Sequence, residues 1–379
     1  MRDYSQDFAL EPNHIWLNAA SEGPIPKAAA QALEEAARWK LSPHRLTIPK
    51  FQQVPLELKN SLSRLIHVPA DEIILGNSAT YGIHLLANGL KFQAGDEIVL
   101  MGNDFPTDIL PWLHLQDRGV IVKQIKSKGR VLTPQEISSA VNAHTKAVCL
   151  PYVHTFSGHR LDIEAIGHMC RQRGIAMIVN MSQVIGTAEV DVSRMPVDAV
   201  VCAGYKWLLG PYGTGFCWMT KALREQLNYP QAYWIALMDE ASLKSEEALH
   251  LKDDRSARRY DIFCTANFFN YVPWRVSIDY LMNIGLEAVH RHNQMLVDQI
   301  VEGLDNKIFE VLSPSVKGER TNIVVFSARD ARRNADIFEY LKDRGLYLAF
   351  WKGQLRAAPH IYNTVQDIKT LLSVLKDYG

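Results

Sequence analysis

Lys206 is the residue of this chain best placed to do chemistry. It follows a short apolar run at 199–202 and precedes Gly210-Pro211-Tyr212-Gly213-Thr214-Gly215, a turn-rich loop that leads into a further apolar run. A lysine set between buried strands is desolvated, its pKa falls, and its amine becomes a nucleophile toward aldehydes. Upstream, an apolar run at 175–179 ends in the polar residues Asn180, Ser182 and Gln183. Open α/β sheets bind ligands at the carboxyl ends of their strands, so these groups are expected at such an edge. A further set, Gly76-Asn77-Ser78-Ala79-Thr80-Tyr81-Gly82, separates a strand at 73–75 from a helical run at 83–90. Small and hydroxyl residues ahead of a helix form a phosphate cradle, because free N–H groups and the helix dipole favour an anion. The same pattern also serves as a plain N-cap.

In this order the residues resemble the class V aminotransferase group of fold-type-I enzymes, which use pyridoxal 5'-phosphate (PLP). That group includes cysteine desulfurases, selenocysteine lyases and relatives of isopenicillin N epimerase. The resemblance implies that Lys206 is the Schiff-base lysine, that Gln183 bonds the cofactor's phenolic oxygen, and that Tyr205 lies beside the phosphate. Ser78, Ala79 and Thr80 match the phosphate-binding turn, and Thr155 falls where the family places a polar residue near the phenolic oxygen. Phe105 takes the place of the ring stacked on the pyridine, where desulfurases carry histidine. Asn180 stands where the family has the aspartate that keeps the pyridine nitrogen protonated. Asn18 and Ala20 belong to a segment lining the substrate side, and Arg356, in Arg356-Ala357-Ala358-Pro359-His360-Ile361-Tyr362-Asn363, matches the arginine that grips the substrate carboxylate. A guanidinium suits that task, since its fork pairs with both carboxylate oxygens. Thr265 matches a threonine that reaches the partner subunit's phosphate, which implies a homodimer; Cys264 replaces the glycine before it and reads as a small buried residue. His154 reads as a satisfied polar group outside the catalytic set, and no metal site is expected.

The elements that must position these residues follow from periodicity. Strand and helix alternate along 70–220, which argues for a mostly parallel sheet. Helical periodicity marks 27–39, 54–66 and 163–173, and a long helical region at 272–304 breaks near Gly285. Strands at 321–327 and 346–351 with helices at 331–344 and 365–377 form a compact α+β unit. The expected fold is therefore α/β, the type I PLP-dependent transferase fold, with a seven-stranded, mostly parallel sheet and a smaller α+β C-terminal domain. The expected division is 1–20 as an N-terminal segment packing on the active site, 21–270 as the PLP-binding domain and 271–379 as the C-terminal domain. The 221–259 region reads as helix and exposed connection.

The 379 residues suffice for two domains and a large core. Lysine plus arginine and aspartate plus glutamate both number 41, so neither nucleic acid nor a membrane surface is expected as partner. Five cysteines without metal spacing fit structural thiols in a reducing cytoplasm. The expected substrate is a small molecule, an amino acid. No cysteine follows Cys264, whereas the resembled desulfurases place a persulfide-forming cysteine just before the carboxylate-binding arginine. With Asn180 in place of an acid, the expected reaction is α,β-elimination of a β-substituted amino acid, of the C–S cleavage type. Epimerase, racemase, decarboxylative or aminotransferase chemistry is the alternative. A PLP-binding protein with impaired catalysis is the other.

Overall fold

Uninterrupted apolar runs such as Val99-Leu100 and Val200-Val201 are buried on both faces, as strands inside a parallel sheet require. In the computed structural model, which describes residues 2–378 apart from 230, 239, 240, 242, 243, 247, 249–255 and 265, they build one seven-stranded sheet. Its order across the sheet is Ile73–Gly76, Gly215–Met219, Ala199–Ala203, Ala176–Asn180, Thr145–Pro151, Glu97–Met101 and Ile121–Ile125. Gly215–Met219 runs antiparallel to both of its neighbours, and the remaining pairs are parallel. Six carboxyl ends therefore share one edge of the sheet; polar residues singled out above lie at or after four of them, and Phe105 follows a fifth.

Apolar side chains cover the sheet on both faces, one layer holding Leu58, Leu62, Trp207 and Trp274 and the other Ile83, Leu86 and Trp112. The helix Phe268–Ile284 buries Tyr271, Trp274, Ile278 and Leu281 in the first layer and packs on the helices Lys27–Leu41 and Ile48–Ile66. Gly285, at φ 89°, separates it from the helix Leu286–Gly303. The break expected near that glycine is present.

A second, antiparallel sheet has the order Ala349–Trp351, Gln354–Ala357, Val324–Ala328 and Phe309–Val311. The N-terminal strand Ile15–Trp16 pairs in parallel with Leu346–Tyr347, and Asn18 bridges to Ala358. These pairings carry Asn18, Ala20 and Arg356 toward the sheet edge that holds Lys206. Three strands escaped the periodicity: Ile121–Ile125 is a half-exposed edge with polar residues inside it, Phe309–Val311 has only three residues, and Gln354–Ala357 has four, two of them polar. No helix among the described residues is long and apolar enough to cross a membrane.

Candidate active site

Lys206 begins the turn after Ala199–Ala203 and is 9 % exposed. Burial, reinforced by the Arg356 guanidinium, pushes its amine down to about 8, while Asp108 and Glu22 pull the other way. The Phe105 ring lies 5.2 Å from its Nζ. The backbone around the lysine is clamped from two sides. Gly23 N–H donates to the Tyr205 carbonyl at 2.8 Å, and a Cβ on Gly23 would collide with the Lys206 carbonyl. His360 Nε2 donates to the Trp207 carbonyl at 3.0 Å, and Asn293 donates to its Nδ1 at 3.0 Å. Burial pushes the His360 imidazole down to about 3, so it works as a fixed neutral donor.

Gln183, Thr155 and Arg356 form one buried network. Trp207 Nε1 donates to Gln183 Oε1 at 2.7 Å, which fixes the amide, and Gln183 Nε2 donates to the Ala20 carbonyl and to Thr155 Oγ1, each at 3.0 Å. Both Gln183 amide hydrogens are thereby engaged. Thr155 Oγ1 also accepts from Arg356 Nη1 at 2.7 Å, so its own hydrogen is left to donate. Arg356 Nη2 donates to Asn18 Oδ1 at 3.1 Å and Ser21 Oγ at 2.7 Å. Arg356 is 3 % exposed, yet its partners are neutral oxygens and its Nε has none. Such a guanidinium has the capacity to receive a carboxylate.

At the neighbouring strand end, Ser78 caps the helix Ala79–Gly89 by accepting from Tyr81 N–H at 3.2 Å. The first-turn N–H groups at Ala79 and Thr80 have no intrahelical acceptor, as in any helix. Thr80 Oγ1 lies 2.9 Å from Thr107 Oγ1. Gly215 leaves the room that lets the next strand pass the Ser78 backbone. Tyr205 is half-buried against Tyr212, with ring centres 4.8 Å apart. Asn180 is buried, and its Nδ2 donates to both oxygens of Asp108, at 2.8 and 3.1 Å.

The structure thus brings Asn18, Ala20, Phe105, Thr155, Asn180, Gln183, Lys206 and Arg356 together, and sets Ser78, Ala79, Thr80 and Tyr205 along the same edge. Thr265 lies outside the described residues. So do residues 230, 239, 240, 242, 243, 247 and 249–255 of the 221–259 connection, whose described part holds the helices Lys221–Gln226 and Trp234–Leu237. Cys264 corrects the reading given above. In the single chain it is exposed, and it holds φ 59°, the left-handed backbone that a glycine adopts more readily. The other four cysteines are buried. His154 is buried against Phe156 with Nδ1 2.9 Å from Ser157 Oγ, and burial pushes it down to about 4. Asp108, Ser21, Glu22 and His360 also belong to the site. Sequence reasoning passed over Asp108 because no local pattern ties it to Asn180; His360 carried a signal, its place in the Arg356 segment.

A desolvated amine, an open helix N-terminus and an unpaired buried guanidinium fit a phosphate-bearing aldehyde together with a carboxylate ligand. Comparison with known proteins agrees. A probable cysteine desulfurase of Methanothermobacter thermautotrophicus is 26 % identical over 396 residues, covering 99 % of this chain and 97 % of that protein. An isopenicillin N epimerase of Streptomyces clavuligerus is 25 % identical over 381 residues, covering 97 % and 95 %. The solved structure of the cystine C–S lyase C-DES with its product cysteine persulfide shares the fold at a TM-score of 0.88, with 20 % identity over 97 % of this chain and 98 % of that one. Residues 15–371 match the model of the aminotransferase class-V family, so the chain belongs to that family, whose cofactor is pyridoxal 5'-phosphate.

Proposed function

We propose that this protein is a PLP-dependent lyase that eliminates a sulfur group from the β-carbon of an amino acid. When bound, PLP supplies an electron-withdrawing ring that stabilises negative charge at the α-carbon. The chain's residues do the rest. Lys206 anchors the cofactor and then serves as the base at the α-carbon, and an amine lowered to about 8 is roughly 10 % unprotonated at pH 7. Arg356 holds the substrate carboxylate, the Ala79 and Thr80 N–H groups with Ser78 hold the phosphate, and Thr155 donates to the phenolic oxygen. Gln183, with both hydrogens engaged, is the brace that aims Thr155. Tyr205 flanks the phosphate and Phe105 stacks on the ring.

One feature carries the reaction type: where the resembled family has an aspartate, this chain has the neutral Asn180 amide, buried and hydrogen-bonded. An amide holds a ring proton less firmly than a carboxylate does, which handicaps transamination, a path that needs a long-lived carbanion. Elimination tolerates this because the leaving group accepts the electrons. Cys202, which faces Lys206, is fully buried with its thiol pushed up to about 12, and the sequence has no cysteine after Cys264, where the resembled desulfurases carry theirs. The reading therefore releases the sulfur group to solution.

Epimerisation, the activity named for the Streptomyces relative, is the second reading. It needs a second proton carrier, and Phe105 has no proton to give while His154 is held neutral. We further propose a homodimer, as the resemblance implies. The test offers cystine and S-alkyl cysteine sulfoxides to PLP-loaded protein and follows keto acid and ammonia. Release of both without an added amino acceptor is the expected result. Rapid amino transfer to a keto acid, or inversion at the α-carbon without release, overturns it.

A further inference from the structure

Asn180 and Asp108 are 72 residues apart in sequence and meet beneath the edge of the sheet, both buried. The orientation of the amide follows from its two partners. Its Nδ2 donates to the Asp108 carboxylate at 2.8 and 3.1 Å, and its Oδ1 accepts the Ser182 N–H at 3.0 Å. Turned over, the amide would set its oxygen against a carboxylate and its hydrogens against an N–H. No cation lies within salt-bridge distance of Asp108 among the described residues. The groups facing it are Asp104 from its own turn, Asn180, Lys206 and the buried thiol of Cys149; Lys352 faces Asp104. The Asp104 and Asp108 carboxyls share a hydrogen bond, and burial beside Asp108 raises Asp104 well above the usual carboxylate range, whereas both Asp108 oxygens receive the Asn180 amide. Of the two acids, the one that is hydrogen-bonded on both oxygens is the better placed to hold the negative charge.

We infer that Asp108 is a positioning residue for the cofactor: it locks the Asn180 amide and sets a buried negative charge behind it, so that the cofactor meets a neutral amide while the charge acts from a distance on the nitrogen at Lys206. This rests on the reading of Lys206 as the anchor of PLP. Asn180 and Asp108 then act as one unit, and Asn180→Asp alone does not restore a plain acid. It sets two carboxyl groups about 3 Å apart, and like charges that close share a proton.

The test loads wild type, Asp108→Asn and the exchange Asn180→Asp/Asp108→Asn with PLP, traps each with borohydride, and maps the label. The visible absorbance of untrapped protein is titrated with pH. The expected label is on Lys206 in all three. Removing the charge destabilises a protonated nitrogen at Lys206, so Asp108→Asn lowers the midpoint of the visible band by about one pH unit or more. The exchange keeps one charge and one amide, and its midpoint stays at or above that of wild type. Equal midpoints in wild type and Asp108→Asn overturn the inference even with Lys206 labelled. Should Asp108→Asn fail to fold, the exchange decides: a midpoint about a unit below wild type overturns the inference, and one at or above it supports it. Absence of label on wild-type Lys206 overturns the reading of the site and this inference with it.

Discussion

Replacing Lys206 with methionine in the cofactor-free protein isolates the cost of burying a reactive amine. The amine falls from 10.5 to about 8 on folding, chiefly through burial. A lysine whose folded pKa is depressed weakens the fold wherever the unfolded chain holds the extra proton, and that cost is fully present below about 8 and gone above about 10.5. At pH 7 the shift corresponds to roughly 3 kcal/mol, and at pH 9.5 to less than half of that. Methionine matches the length of the stem and brings no charge. Urea unfolding of both apo-proteins, followed by tryptophan fluorescence, measures the difference. Lys206→Met should be the more stable protein at pH 7, by up to about 3 kcal/mol, and its lead should shrink by more than half by pH 9.5. A lead that does not change with pH, or a less stable variant at pH 7, refutes the reasoning. It would mean that the amine is not held in a site that penalises its charge.

Arg356→Gln should raise KM for an amino-acid substrate about 100-fold with a smaller change in kcat, since hydrogen bonds to a charged group contribute about 1.5–3 kcal/mol; steady-state kinetics with the lyase substrate separates the two. Lys59 pairs with the buried Asp261 at 2.8 Å, so Lys59→Met strands a carboxylate and should cost about 3–5 kcal/mol, read from the urea midpoint and recovered in part by Asp261→Asn. Gly23→Ala forces a Cβ against the Lys206 carbonyl and should destabilise by about 1–3 kcal/mol. A titration of the apo-variant with PLP should show weaker binding as well.

The parts legible in the sequence were those with a local signature. Apolar runs ending in polar residues located Lys206, Asn180 and Gln183 at strand ends, and the hydroxyl-rich turn located Ser78 and Thr80. What escaped is carried by contacts without period. Asn180 meets Asp108 across 72 residues, and His360 reaches the Trp207 carbonyl across 153. Gln183 illustrates the difference: its position at a strand end was readable, but its work as a brace depends on the Trp207 indole and the Ala20 carbonyl, which only the folded chain supplies. Cys264 was misread because its surroundings in sequence are apolar, while its left-handed backbone places it in an exposed turn.

The charges of the molecule sort themselves by whether the fold satisfies them. Lys59 and Asp261 are buried and paired, and Asp261 also accepts the Leu75 N–H at 2.8 Å, so that ion pair closes on itself and has nothing left for a ligand. Lys206 and Arg356 are buried as deeply, yet neither has an acidic partner within salt-bridge distance among the described residues. Desolvating an unpaired charge is expensive, and a fold selected for stability alone would remove it or pair it. The acids nearest to Lys206 are directed elsewhere: Asp108 is bound to the Asn180 amide, and burial raises the Glu22 carboxyl to about 7. Two cations kept apart from their acids at the carboxyl edge of the sheet leave their missing counter-charges to come from outside the chain. Such a site is complete when a ligand brings an aldehyde to the one and a carboxylate to the other.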